Sequence, residues 1–205
     1  MNDQELQAKL QRVSFATLGH FLEDGFVSHE IRSQLQGVKM VGRAFTLRVA
    51  NADAYAVNQA LMSLSAGDVL VIDMQGDHRH ACVGTVTSCA ARVRGAQGII
   101  VDGAVTDIVE LREAGLPIFA RGTSLLTTKL RADAGSALSL PINCGGVSVQ
   151  PGDWVLGDDN GLLITSGQAL REVIDIALAS DAAEPALIER MQALEPLENL
   201  LKRPE

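Results

Sequence analysis

The sequence predicts a single α/β domain in which mixed sheets are flanked by helices, and three observations favour this fold class. Hydrophobic residues make up 47% of the 205-residue chain and aromatic residues only 3%, which indicates a sizeable aliphatic core. Residues 69–73 and 99–102 are short apolar runs separated by small residues of helical character, as in a strand–helix–strand unit. Beyond residue 138, short apolar runs alternate with turn sequences, which is typical of antiparallel hairpins.

Helices and strands alternate through the first part of the chain. Apolar residues recur at helical spacing over residues 3–23, where Ser14 and Thr17 can cap a break, so we expect two short helices. The next predicted elements are a strand at 42–49, a helix at 51–65, a strand at 69–73, a helix at about 81–94, a strand at 99–102, a helix at 107–114 and a strand at 118–121. Gly115 and Pro117 end the last of these helices.

Hairpins and long helices are predicted for the second part of the chain. The expected strands are 147–150, 154–156 and 162–165, joined by the turns Pro151-Gly152-Asp153 and Asp158-Asp159-Asn160-Gly161. An amphipathic helix is expected from Gly167. A second helix is expected at 184–201, where apolar residues recur beyond Pro185. Because no repeat or low-complexity linker interrupts the chain, residues 1–205 are predicted to form one domain, with terminal helices on the core or on a neighbouring subunit.

Composition excludes several classes of function. The formal charge of -8 and the isoelectric point of about 5.0 disfavour nucleic-acid binding, because phosphate neutralisation needs a concentrated basic patch. Cys82, Cys89 and Cys144 are odd in number and lack CxxC spacing, so neither a disulfide framework nor a zinc cluster is predicted. No apolar run approaches the roughly 20 residues that span a bilayer. We therefore expect a cytoplasmic protein that binds neither nucleic acid nor membrane.

Two apolar strands end in aspartate, at Asp73 and Asp102, and each is followed by a loop. Ligands of open α/β sheets favour the crevice beyond the strand ends, so both side chains could line one cleft. Helix or turn capping is an equally good explanation for them. The loop sequence Asp77-His78-Arg79-His80 mixes potential base, ligand and cation, although a solvated polar loop explains it better.

Gly84 and Asp107 are the strongest candidates for a binding site. The amides of Val86 and Thr87 follow Gly84 at the start of the predicted helix and could hold a carboxylate or phosphate. Close packing of small residues explains Gly84 as well. Asp107 begins a short helix, where an acid is usually a cap, but one carboxylate with substrate oxygens also suits Mg²⁺ or Mn²⁺.

Several segments, taken in order, strongly resemble the RraA-like family. They are Val41-Gly42-Arg43-Ala44, residues 67–73, residues 84–107, residues 119–122, Cys144-Gly145-Gly146, Pro151-Gly152-Asp153 and Gly157-Asp158-Asp159. The family includes class II pyruvate aldolases that act on 4-hydroxy-4-methyl-2-oxoglutarate and 4-carboxy-4-hydroxy-2-oxoadipate, often with oxaloacetate decarboxylase activity, and also non-catalytic ribonuclease E inhibitors. The resemblance implies a three-layer β/β/α swivelling-domain fold, assembled as a homotrimer or dimer of trimers with sites between subunits.

The aldolase signature within the family is a glycine, about twenty residues, and then Arg-Asp. It maps here onto Gly84, Thr106 and Asp107, so a threonine stands where the aldolases carry the arginine that binds the pyruvyl carboxylate and ketone. By the same mapping Asp107 would hold a divalent metal through waters, and the amides of Val86 and Thr87 would receive the substrate carboxylate. Thr85 stands where an acidic residue is common.

The resemblance leaves two functions open. One is a divalent-metal-dependent lyase that acts on a small 2-oxo acid with weak or altered activity. Its catalytic residues would be Thr106 and Asp107, and its substrate-binding residues would be Gly84, Thr85, Val86, Thr87 and Thr106. Because loss of one oxyanion donor typically costs about 10²–10³ in rate, compensation by Arg79, His80 or Arg121 would matter. The other is a non-catalytic trimeric protein whose acidic surface binds a regulatory protein partner.

Overall fold

A computed structural model describes residues 1–132 and 134–201 of the chain. Its α-helices are α1 (Asp3–Leu10), α2 (Phe15–Leu18), α3 (Ala54–Ser63), α4 (Thr85–Val93), α5 (Ile108–Ala114) and α6 (Gly167–Gln192), and a 3₁₀ helix spans Leu197–Asn199. Its strands are β1 (Arg32–Ser33), β2 (Lys39–Arg48), β3 (Asp68–Asp73), β4 (Ala81–Val83), β5 (Gly98–Val105), β6 (Ile118–Thr123), β7 (Ala137–Leu138), β8 (Ile142–Cys144), β9 (Val147–Val149), β10 (Trp154–Asp158) and β11 (Gly161–Thr165).

A large mixed sheet organises the structure. Within the described residues its strand order is β1-β6-β5-β3-β2-β10-β11, with β4 beside β5 and β7 beside β2. Strands β2, β3, β5 and β6 are parallel, as the alternating helices and strands predict. The hairpin β10–β11 is antiparallel and turns at Asp159 and Asn160, as its turn sequence predicts.

Both faces of this sheet are covered, and the alternation along β3 shows how. Leu70 lies in one buried cluster with Val57 of α3, so helices cover this face. Val69 points to the opposite face, where it packs in a second cluster with Ile142 of β8 and Val149 of β9. The layers are therefore helices, large sheet and small sheet, which confirms the predicted β/β/α fold class.

Two predicted boundaries in the central unit are wrong. The helix expected from about residue 81 begins only at Thr85, because Ala81–Val83 forms the buried strand β4, parallel to β5. Strand β5 does not end at Asp102 but continues to Val105, so Asp102 lies within a strand. A short apolar run of three residues does not distinguish a buried strand from the first turn of a helix.

Two predictions near the carboxyl end are also wrong. Residues 184–201 do not form a separate helix, because α6 continues through Pro185 to Gln192. Strand β9 does not form a hairpin with β10 across the Pro151-Gly152-Asp153 turn. It pairs with β8 in the small sheet, while β10 pairs with β2 and β11.

The chain divides into two compact units. The larger unit comprises Asp24–Gly167 and holds the strands, and the smaller unit joins the first 23 residues to the chain from Gln168 onward. In the smaller unit, Asp181 of α6 accepts hydrogen bonds from the Ser14 amide (2.6 Å) and the Thr17 hydroxyl. The two expected amino-terminal helices are confirmed as α1 and α2. Among the described helices, none is long and apolar enough to cross a membrane.

Candidate functional site

Strand pairing brings the two halves of the predicted site together. Strands β4 and β5 run parallel, with Val83 opposite Val105, so the chain leaves both strands at the same edge of the sheet. The Thr106 amide donates to the Val83 carbonyl oxygen at 2.9 Å, which holds the two exits side by side. Gly84 and Asp107 therefore lie next to each other although 22 positions separate them in sequence.

Asp107 places its carboxylate at the amino end of α4. Its Oδ2 accepts a hydrogen bond from the Thr85 amide at 2.9 Å, although Asp107 itself precedes α5. The backbone of Asp107 is left-handed, with φ 56° and ψ 43°. This conformation costs a non-glycine residue about 1–3 kcal/mol, and aspartate is one of the residues that tolerate it best. Strain of this kind is common at functional sites.

Gly84 is required by the space around Asp107. A Cβ atom at position 84 would lie 2.6 Å from Oδ2 of Asp107 and 2.9 Å from Cγ2 of Thr106. The φ of Gly84 is -143°, which any residue can adopt, so close approach rather than backbone freedom explains the glycine. Close packing was the alternative to a binding role for Gly84. The group that packs closely against it is the Asp107 carboxylate.

The amino end of α4 offers hydrogen-bond donors beside this carboxylate. The Thr85 amide is taken by Asp107, and the Ser88 amide donates to the Gly84 carbonyl oxygen at 2.9 Å. Between them, the amides of Val86 and Thr87 belong to the first turn, whose N–H groups have no acceptor inside the helix. The Val86 side chain is 84% exposed, so this end of the helix is open to solvent. Both amides are suited to an anion.

A small cavity adjoins the same residues. It has a volume of about 150 Å³, and its lining includes Asn58, Gly84, Thr87, Thr106, Thr127 and Thr128. The Thr106 hydroxyl also donates to Oδ1 of Asp107 over a long 3.3 Å. Threonine at position 106 thus supplies a neutral hydrogen-bonding group to the cavity wall, with no positive charge.

Asp73 and Asp102 have structural partners. Asp73 and Asp102 are opposite each other on β3 and β5, as one cleft would require. However, Asp73 accepts from the Gln75 amide at 2.7 Å, which is a turn contact. Asp102 accepts from the Gly145 amide at 2.7 Å and from Nε of Arg121 at 2.5 Å. Of the two explanations for these aspartates, structural anchoring is therefore the better supported.

Arg121 is committed to an ion-pair network. Besides Asp102, it pairs with Glu30, and these two carboxylates raise its pKa despite the opposing effect of partial burial. Arg121, Glu30 and His78 line a cavity of about 610 Å³ that shares none of its lining residues with the small cavity at Gly84. Compensation for the missing arginine by Arg121 gains no support from these contacts.

The loop after β3 holds its charged groups against one another. Asp77 accepts hydrogen bonds from the amides of Arg79 (3.0 Å) and His80 (3.1 Å), and its Oδ2 lies 2.6 Å from Nδ1 of His80. Partial burial opposes ionisation of Asp77, but these hydrogen bonds outweigh it and lower its pKa. A turn held by its own carboxylate agrees with the structural explanation of this loop.

Cys82 and Cys89 lie on different elements. Cys82 is buried in β4, whereas Cys89 is exposed on α4. Burial raises the pKa of the Cys82 thiol to about 12, and burial also raises that of Cys144. Both buried side chains are therefore neutral thiols near pH 7.

The family assignment follows from comparison with known proteins. Residues 16–164 match the model of the RraA-like family, described as Aldolase/RraA. The chain belongs to the RraA-like family. This match confirms the resemblance of the Gly84 to Asp107 segment and covers nearly all of the unit that holds the strands.

Relatives within the RraA-like family carry two kinds of name. A Halalkalibacterium halodurans protein, provisionally named 4-hydroxy-4-methyl-2-oxoglutarate aldolase, is 36% identical over 76% of this chain and 75% of its own. The Thermus thermophilus protein of that name is 36% identical over 62% and 75% of the two chains. The structure of Streptomyces coelicolor RraAS2, of the RNase ES inhibitor RraA family, superposes with a TM-score of 0.75 at 29% identity, over 93% and 98%. An aldolase role is therefore suggested for the chain.

Sequence reasoning missed the far wall of the small cavity. Asn58 comes from α3, and Thr127 and Thr128 come from the segment after β6. The Ala81 amide donates to the Leu126 carbonyl oxygen and the Thr128 amide donates to that of Ala81, so this segment runs beside β4. The run Thr127-Thr128-Lys129 is a polar signal in the sequence, but it has no periodicity that would relate it to Gly84.

Proposed function

We propose that this protein is a carbon–carbon lyase that releases pyruvate from a small 2-oxo acid, with 4-hydroxy-4-methyl-2-oxoglutarate and oxaloacetate as the substrates to test. The observation that carries the proposal is the 2.9 Å hydrogen bond from the Thr85 amide to Oδ2 of Asp107. This contact sets a carboxylate beside a helix end that presents further amides. An anionic substrate and a cation could then be bound next to each other.

Substrate binding is assigned to the first turn of α4. The amides of Val86 and Thr87 would hold the substrate carboxylate, and the positive end of the helix dipole would favour its charge. The Thr106 hydroxyl has one donor, so it would leave Oδ1 of Asp107, its acceptor at 3.3 Å, to donate a neutral hydrogen bond to the 2-oxo oxygen. Because a charge-assisted bond contributes about 1.5–3 kcal/mol and a neutral one about 0.5–1.5 kcal/mol, we expect turnover below that of an arginine-bearing enzyme.

Asp107 fits a metal site of the magnesium type. Among residues 1–132 and 134–201, no group of three or more histidine, cysteine or acidic side chains could cage an ion. Mg²⁺ does not need such a cage, since it keeps several waters and binds through one or two carboxylates plus substrate oxygens. Asp107 is exposed and would hold Mg²⁺ or Mn²⁺. When bound, the ion would supply Lewis acidity toward the 2-oxo group.

In the aldol cleavage, the C4 hydroxyl of the substrate loses its proton to water at the open site, and C4 becomes a carbonyl carbon as the C3–C4 bond breaks. The electron pair of that bond passes into the enolate of pyruvate, which then takes up a proton from water at C3. The amides of Val86 and Thr87 would keep the carboxylate fixed during these steps. In oxaloacetate the C3–C4 bond also breaks, and carbon dioxide leaves instead of a carbonyl compound.

A second candidate function is non-catalytic binding of a regulatory protein. The neutral Thr106 favours it, because the side chain that the aldolases use on the pyruvyl group is absent. The similarity to Streptomyces coelicolor RraAS2 also supports it. We rank it second, since the exposed carboxylate of Asp107 lies beside first-turn amides of α4 that have no acceptor inside the helix.

The test is metal-dependent pyruvate release. Lactate dehydrogenase and NADH would report pyruvate formed from each substrate, with and without Mg²⁺. We expect weak turnover by the wild type and a loss of about 10²-fold in Asp107→Asn, because asparagine keeps the cap but not the charge. Glu110→Gln, on the exposed face of the adjacent α5, is the control and should retain activity. Full activity of Asp107→Asn contradicts the proposal, and an inactive wild type favours the regulatory alternative.

A further inference from the structure

We propose that Lys129 supplies the positive charge that position 106 lacks and pairs with the carboxylate of the substrate. This inference rests on the proposed function, because it assigns a cation to the same 2-oxo acid site. It differs from the compensation considered from the sequence, which involved Arg79, His80 or Arg121. The observations that carry it are the course of residues 126–131, the neutral wall of the small cavity, and the position of the Lys129 ammonium group.

Residues 126–131 run beside β4 and contribute Thr127 and Thr128 to the wall of the small cavity. The Ala81 amide donates to the Leu126 carbonyl oxygen at 2.8 Å, and the Thr128 amide donates to the Ala81 carbonyl oxygen at 3.0 Å. A parallel bridge pairs Ala81 with Thr127. Ala81 is the first residue of β4, which leads directly to Gly84. The segment 126–131 is therefore held beside the strand that precedes the site.

The backbone of Lys129 is fixed on both sides. Its amide donates to the Ala52 carbonyl oxygen at 3.1 Å, and its carbonyl oxygen accepts from the Ala54 amide at 2.9 Å. Two residues later, the Arg131 amide donates to the buried carboxylate of Asp53 at 3.0 Å. The main chain that carries the lysine is thus tied to the start of α3, which leaves only the side chain to adjust.

The wall of the cavity has hydrogen-bonding groups but no charge. Gly84, Thr87 and Thr106 lie on one part of the wall, and Thr127 and Thr128 lie on another. Of the described residues that line it, none is acidic or basic. A carboxylate bound between these parts would contact neutral hydroxyl and amide groups. A cation that pairs with it would have to come from a residue at the rim of the cavity, outside the lining residues.

The Lys129 ammonium lies at that rim. Its Nζ donates to Oγ1 of Thr127 at 3.0 Å, and Thr127 is part of the cavity wall. An ammonium group has three N–H donors, of which the bond to Thr127 uses one. The side chain is exposed, so it is free to turn from the threonine hydroxyl toward an anion. A hydroxyl acceptor is a weak partner, so a carboxylate would compete well for it.

Two of the other basic candidates, Arg121 and His80, have stronger partners. Arg121 is ion-paired with both Asp102 and Glu30, and Nδ1 of His80 lies 2.6 Å from Asp77. Withdrawing either would take a side-chain partner from a carboxylate, whereas withdrawing Lys129 from Thr127 takes one only from a hydroxyl. Lysine is also a point charge on a flexible stem, unlike the planar fork of arginine, so we expect weaker orientation of the substrate.

The experiment compares Lys129→Met, Lys129→Arg and Lys129→Met/Thr106→Arg in the pyruvate-release assay. We expect kcat/KM to fall about 10- to 100-fold in Lys129→Met, mainly through KM, because the charge binds substrate and transition state alike. Lys129→Arg should keep most of the activity. Adding Thr106→Arg should restore Lys129→Met, since the charge would then come from the family's usual position. Lys39→Met, which removes a lysine from the start of β2, is the matched control.

The outcomes separate this inference from the proposed function. If Lys129→Met retains wild-type kcat/KM while Asp107→Asn is inactive, the lyase stands and the role of Lys129 is wrong. If Thr106→Arg fails to restore Lys129→Met while Lys129→Arg is also impaired, Lys129 has a structural role only. If the wild type does not release pyruvate, titration with oxalate in the presence of Mg²⁺ decides, and equal affinity of wild type and Lys129→Met overturns the inference.

Discussion

At the scale of single residues, the site depends on one aspartate in a costly conformation. The backbone of Asp107 is left-handed, and its carboxylate lies 2.6 Å from where a Cβ atom at position 84 would be. The sequence identifies both residues through the family signature, because the glycine and the aspartate are matched. The sequence does not reveal that Gly84 and Asp107 lie in contact. This contact depends on β4, whose residues were predicted to form the start of a helix.

Gly84→Ala tests this contact. The added Cβ would lie 2.6 Å from Oδ2 of Asp107, so the carboxylate must move away from the Thr85 amide. We expect pyruvate release to fall about 10²-fold, as a displacement near 1 Å can cause, and unfolding free energy to fall by about 1–3 kcal/mol. Gly122→Ala is the control, because nothing lies within 4 Å of a Cβ there. Equal activity of the two variants would show that the carboxylate position is unimportant.

At the scale of elements, the parallel strands were predictable and the connections between sheets were not. Strands β3 and β5 carry continuous apolar runs because both of their faces are buried, and such runs are visible in a sequence. The pairing partner of β9 cannot be identified from the sequence in this way. Strand β9 pairs with β8 because of packing in the second buried cluster, and the turn between β9 and β10 does not determine the pairing. Residues 127–128 of the cavity wall were not predicted for a similar reason. The isolated bridge at Thr127 leaves no periodic pattern in the sequence.

Pro185 offers a prediction at this scale. Proline in a helix interior removes a hydrogen bond and disfavours the helix by about 3 kcal/mol relative to alanine. Since α6 continues through Pro185, which is exposed, Pro185→Ala should stabilise its last turns. Slower hydrogen exchange at the amides of residues 186–192 is the expected result, and exposed Glu184→Ala should leave exchange nearly unchanged. Unchanged protection in Pro185→Ala would show that tertiary contacts hold this part of α6.

At the scale of the whole molecule, assembly is the main prediction. The chain divides into two compact units, so the single-domain prediction for residues 1–205 stays a prediction, as do the homotrimer and the dimer of trimers. Apolar side chains next to the site support assembly, because Val86 is 84% exposed, Leu125 97% and Leu130 72%. Exposed large apolar side chains near a functional site are typical of an interaction surface.

Leu125→Asp tests assembly. If a neighbouring subunit covers this leucine, a buried unpaired charge would disrupt the interface. Light scattering should give about three or six times the chain mass of 21.7 kDa for the wild type and a lower multiple for the variant. Met62→Asp, at a 67% exposed position on α3, is the matched control and should not change the mass. A wild type that stays monomeric at high concentration contradicts the prediction.

The central claim is that Asp107 and the first amides of α4 form one site for a 2-oxo acid and a divalent cation. The most direct measurement is calorimetric titration with oxalate, a planar mimic of the pyruvate enolate, with and without Mg²⁺, on the wild type and on Asp107→Asn. The account predicts Mg²⁺-dependent binding by the wild type that weakens at least about tenfold in Asp107→Asn. Equal oxalate affinity in the two proteins, or affinity independent of Mg²⁺, would contradict it.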